Sequence, residues 1–208
     1  MNEKFYLLFF VLTFSHSVIA QDVSFLDLGT AEKWWAITHP SSAIKAKAIG
    51  RIAIQISDSI AKSNKFPNQR SGGEEDAIRH AVWMAILANS IGENKALKLG
   101  EAHEKGNYRD FKKGRKEEGH IPDLRSVEMD LFNNKVGVLI YNNCNLDCDK
   151  EKLLAEVMKK LYEGELKIIK MDMMGNSLDN KGKVIPRSQW EGKWENNRIL
   201  APSNYNIK

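Results

Sequence analysis

The chain has 208 residues, 42% hydrophobic and 28% charged, and its 31 Lys and Arg against 27 Asp and Glu leave a formal charge of +4. That length suits one domain. The mild charge, with both signs interleaved, argues against a nucleic-acid partner. The densest basic run, Lys112-Lys113-Gly114-Arg115-Lys116, is followed at once by Glu117-Glu118 and reads as a solvated loop with at most weak attraction to anionic envelope polymers.

Residues 1–20 read as a signal peptide. Glu3 and Lys4 precede an almost unbroken apolar run from Phe5 to Phe14, and Val18-Ile19-Ala20 ends in a small residue before polar Gln21-Asp22. The run is too short to span a bilayer comfortably, although an uncleaved anchor is the other reading. The expected location is therefore periplasmic or secreted. No later segment reaches membrane-spanning length.

Residues 21–42 form an N-terminal segment containing Trp34-Trp35 and ending at His39-Pro40 and a capping Ser41 or Ser42. From Ala43 to Lys62, Ile44, Ala48, Ile52, Ile56 and Ile60 recur every four residues and predict a helix. Asn64 to Gly73 is a polar loop. The next helix runs from Glu74 to Ile91, with acidic Glu74-Glu75-Asp76 at the positive end of its dipole and Gly92 as its stop. Alanines at 77, 81, 85 and 88 would let another helix approach closely. A helix over Glu93–Lys105 and a charged loop over Gly106–Pro122 follow.

Two further helices are expected, Leu124–Asn142 and Asp149–Glu163. Between them Cys144 and Cys148 sit four apart, which in an oxidising compartment reads as a local disulfide. After Gly164 the pattern turns β-like at Leu166–Met171 and Lys183–Ile185. The expected fold is mainly α: one helical-bundle domain over residues 43–208, with a small C-terminal β hairpin or irregular cap near 165–186.

Polar groups on the apolar stripe are the informative residues, because burying them costs free energy unless they are paired. Asp76 and His80 share a face at i and i+4, with Arg79 beside them. His103 follows Ala96 and Leu99 inward, with Glu104 next to it. Asp130 lies three and four residues before Asn133 and Asn134, two poor helix formers in mid-helix. Helix bundles build their sites from such inward side chains. No Walker loop, His-Glu-x-x-His, Gly-x-Ser-x-Gly or paired Cys-x-x-Cys occurs.

The runs Asp76–Trp83, Ala102-His103-Glu104 and Met129–Gly137 carry a resemblance. With His39-Pro40 upstream and Gly164-Glu165-Leu166 downstream, they resemble a family of uncharacterised bacterial helical domains found in exported, wall-associated and polymorphic-toxin-like proteins. Ile78 and Val82 stand where that family commonly has aromatics. The resemblance implies an envelope-acting or toxin-like activity and no established reaction. A looser likeness links the set to small secreted phospholipases, without their calcium loop. Another links it to metal-dependent phosphohydrolases of the His…His-Asp…Asp type, with Glu104 in place of Asp.

Two functions are compatible with this set. The first is an exported hydrolase acting on an envelope lipid or phosphate ester. His103 or His80 would be the general base and Asp76 or Glu104 would orient it. Arg79 would offset developing charge, Asn133 and Asn134 would bind substrate, and Asp130 would hold a divalent cation. The second is a non-enzymatic periplasmic binding or immunity-type protein with a protein partner or a cell-wall component as ligand. In it the same polar set is structural, and Trp34, Trp35, Trp190 and Trp194 are interface anchors or covers of a small core.

Overall fold

The computed structural model describes residues 28–63, 65–66, 70–116, 119–144 and 148–207. The signal peptide expected over residues 1–20 lies outside them. Among the described residues six helices precede the first strand: α1 Thr30–Thr38, α2 Pro40–Lys62, α3 Glu74–Ile91, α4 Glu93–Lys112, α5 Leu124–Asn143 and α6 Lys150–Tyr162. Strand β1 (Lys167–Ile169), the one-turn helix α7 (Arg187–Trp190) and strand β2 (Leu200–Pro202) follow. The protein is a mainly helical bundle with a small antiparallel sheet, as expected. Among the described residues no helix is long and apolar enough to cross a membrane.

Helix α3 is the central element and packs against α2, α4, α5 and α6. Its stripe of Ala77, Ala81, Ala85 and Ala88 is fully buried. Gly137 of α5 lies so close to α3 that an added Cβ would overlap the Ala81 carbonyl oxygen. This backbone-to-backbone approach sets the α3–α5 crossing on which the polar centre is built.

Two helices exceed their expected bounds by more than one residue. Helix α2 opens at Pro40 rather than near Ala43, because a proline fits the first turn, where its missing N–H has no partner to lose. Helix α4 continues through Gly106 to Lys112. Gly106 packs closely on Gly29, and Tyr108 and Phe111 in the added turns lie 4.7 and 5.3 Å from the Trp194 ring.

The strand pairing also differs from the expected one. Strand β1 pairs with Leu200–Pro202, with Ile168 opposite Ala201. The segment around Lys183–Ile185 contributes only the single bridge Leu178–Val184. Tight turns limit it: the Asp179 carboxylate accepts the backbone N–H groups of Lys181 and Lys183, each at 2.8 Å. Buried Arg198 donates to Asp123 at 2.8 Å and anchors the C-terminal segment to the start of α5. Cys144 and Cys148, with Cα atoms 5.9 Å apart, form a disulfide between α5 and α6. Trp35 and Trp190 are buried in the fold, whereas Trp34 is 64% exposed.

Candidate functional site

The close crossing of α3 and α5 brings two i,i+4 pairs face to face: Asp76 and His80 on α3, Asp130 and Asn134 on α5. Asp76 is 4%, His80 6%, Asp130 5% and Asn134 2% exposed. His80 Nδ1 stands 3.2 Å from Asn134 Oδ1. His80 Nε2 stands 3.4 Å from Asp76 Oδ1 and 3.5 Å from Asp130 Oδ1. Asp76 is itself held: its Oδ2 accepts the Gly72 N–H at 2.7 Å, and its Oδ1 accepts from Arg79 at 2.6 Å. Gly72 sits at φ 81°, and a Cβ there would press on the Ile169 side chain at 2.8 Å. The loop before α3 thus reaches its carboxylate only with glycine at that point. Gly100 of α4 makes room for the Asn134 amide, which an added Cβ would meet at 3.0 Å.

A second imidazole lies beside the first. His103 and His80 have ring centroids 6.3 Å apart, and Trp83 stands edge-on to both, 5.7 Å from His103 and 6.3 Å from His80. His103 Nδ1 is 3.1 Å from Glu32 Oε1. The other oxygen of Glu32 accepts the Gly29 N–H at 2.8 Å, closing the first turn of α1. The carboxylate is therefore anchored at both ends.

His80 and Arg79 form part of two openings. On one side is a polar niche of about 20 Å³ bounded by Asp76, Asp130, His120 and Ser126. On the other is a cavity of about 540 Å³ with walls that include Trp35, Ile44, Ile54, Trp83 and Leu99. Glu32, His103, Lys47 and Arg51 supply polar groups to that larger cavity.

Of the residues expected to form a site, Asp76, Arg79, His80, Asp130, Asn134 and His103 converge. Glu104 and Asn133 do not. Glu104 is buried but accepts from Asn107 of its own helix at 3.0 Å and borders neither opening. Successive helix residues point about 100° apart, so His103 and Glu104 serve different sides. Asn133 likewise turns away from Asn134. Its amide accepts the Lys167 N–H and donates to the Lys167 carbonyl, both at 2.9 Å, which docks β1 on α5. Glu32 was not anticipated: at the third position of α1 it carries the signal of a helix start and none of its contact with α4. Asp76, His80 and Asp130 each offer a ligand atom within 4.8 Å of the others and make up a group suited to a cation.

Fold and geometry together define a class: a helical bundle with a buried histidine–carboxylate centre opening onto an apolar cavity. The chain belongs to the family described as Domain of unknown function (DUF6973), whose model matches residues 33–165. That stretch contains every converging residue except Glu32, which lies one position before it. No curated protein and no solved structure matches the chain.

Proposed function

We propose that this protein is an exported hydrolase that cleaves an ester in an amphiphilic envelope substrate, a lipid or a phosphate ester. The observation that carries the reading is the Glu32–His103 pair on the wall of the large apolar cavity, with His80 beside it. Glu32 accepts the Nδ1 proton and fixes the tautomer, so Nε2 is the nitrogen that takes a proton from water. The resulting hydroxide attacks the ester carbon or phosphorus, the bond to the leaving oxygen breaks, and the proton held on His103 Nε2 passes to that oxygen. Arg79, held by Asp76, borders the same cavity and offsets the negative charge that develops.

The cavity favours a substrate with a chain and an anionic head. Its volume falls within the roughly 300–1,000 Å³ usual for small-molecule sites. Aromatic and aliphatic walls suit the chain, and Lys47 and Arg51 suit the head. The Cys144–Cys148 bond supports an oxidising compartment, as an exported, envelope-acting protein requires.

A second reading draws on the same cavity: a binding or immunity-type module that holds an amphiphile without turning it over. Incubation with phosphatidylglycerol vesicles, followed by mass spectrometry, separates the two. The hydrolase yields fatty acid and lysolipid, or diglyceride and a phosphate ester, and the product pair identifies the bond cut. Stoichiometric lipid capture without product supports the binding module instead.

A further inference from the structure

We infer that Asp76, His80 and Asp130 form a site for one divalent transition-metal ion, zinc being the best match. The inference stands on the α3–α5 crossing and is independent of the hydrolase reading. Asn134 Oδ1 faces His80 Nδ1 at 3.2 Å, and an amide oxygen only accepts, so the ring proton belongs on Nδ1. Nε2 then presents a lone pair toward two carboxylate oxygens. Arg79 relieves the Asp76 side of this grouping, and a metal ion or a proton on Nε2 is needed among its members to relieve the rest.

The distances agree. At 3.4 and 3.5 Å, the Nε2-to-carboxylate separations exceed the usual N–H···O range of about 2.7–3.2 Å. A zinc ion about 2.0–2.2 Å from each of its ligand atoms sets tetrahedral ligand-to-ligand separations of about 3.3–3.6 Å. The niche of about 20 Å³ that these residues border is the size of one ion or water, since a single water needs about 10–15 Å³. One imidazole and two carboxylates leave a fourth position for water, the pattern of an open rather than a closed zinc site. The supports for the ligands are also present. Asn134 orients the imidazole, and the Gly72 N–H and Arg79 orient Asp76.

The test uses the full oxidised chain, stripped with chelator and dialysed against Zn²⁺, with bound metal measured by mass spectrometry and melting followed by circular dichroism. The wild type and His103→Ala should each take up one Zn²⁺ per chain and melt higher with it. Asp130→Asn, which preserves size and hydrogen bonding, should lose stoichiometric uptake and melt at the same temperature with and without Zn²⁺. His80→Gln should behave as Asp130→Asn does. A wild type that takes up no Zn²⁺, or an Asp130→Asn protein that binds it as tightly as the wild type, overturns the site. Intact zinc uptake in a protein that hydrolyses nothing supports the site and counts only against the Glu32–His103 reading.

Discussion

Glu32 and His103 stand 71 positions apart in the chain, yet Glu32 Oε1 lies 3.1 Å from His103 Nδ1. The contact joins the first turn of α1 to the middle of α4 and places an oriented imidazole on the cavity wall. Glu32→Gln keeps the shape but replaces the carboxylate that holds the ring. A partner that orients a metal-bound histidine is worth about 10–100-fold, and a loss of that order is expected for this oriented base. Ester hydrolysis should fall by that amount while the melting temperature stays near the wild-type value. A parallel drop in melting temperature would make the pair a structural tie instead.

Asn133→Ala should behave in the opposite way. It removes both hydrogen bonds to the Lys167 backbone and leaves a half-buried N–H and C=O without those partners. Each such group costs about 1–3 kcal/mol. Urea denaturation should show a loss of that order, with kcat unchanged under conditions where the variant stays folded. A large kcat effect at full folding would restore Asn133 to the substrate site.

Gly137→Ala places a methyl on the Ala81 carbonyl at the α3–α5 crossing. The backbones must separate, at the 1–3 kcal/mol typical of overpacking or somewhat more, to the order of magnitude. Because Arg79 and His80, on the cavity wall, lie on the other helix of that crossing, activity should fall with stability. An unchanged melting temperature would show that the crossing tolerates a wider spacing.

Glu74 gives a prediction with a defined sign. Its side chain is fully buried at the start of α3, and burial holds its pKa above the ordinary 4.5, partly offset by hydrogen bonds from the backbone and Asn206. A carboxyl with a raised folded-state pKa takes up a proton on folding in the window above 4.5, so stability falls as pH rises through that window. Glu74→Gln keeps the acceptor for Asn206 and removes the ionisation. The variant should be more stable than wild type at pH 7, with the difference shrinking toward pH 4, as read from urea midpoints at about those two pH values. A variant less stable at neutral pH would mean that the ionised carboxylate is stabilised in the fold.

The parts of the site legible in the sequence are those fixed by a single helix. Asp76 with His80, and Asp130 with Asn134, are i,i+4 pairs on inward stripes, and small residues on α3 foretold a close neighbour. The choice between adjacent residues was not legible. His103 and Glu104, or Asn133 and Asn134, differ by about 100° of helix rotation, and only the packing of α4 on α1, or of β1 on α5, decides which one joins the site. Leu200–Pro202 is too short to show alternation, so its pairing with β1 depends on where Arg198 and Asp123 anchor it. The length of α4 likewise follows from Trp194, far along the chain, covering Tyr108 and Phe111.

Hydrolysis of phosphatidylglycerol vesicles by the wild type and by His103→Ala, at equal concentration and with both proteins shown to be folded, is the most direct measurement. The wild type should release a defined cleavage product, and the variant should do so at least about 100-fold more slowly, the lower end of what a general base contributes. Equal rates from both proteins, or no product from either, would contradict the assignment of His103 as the base of a hydrolase.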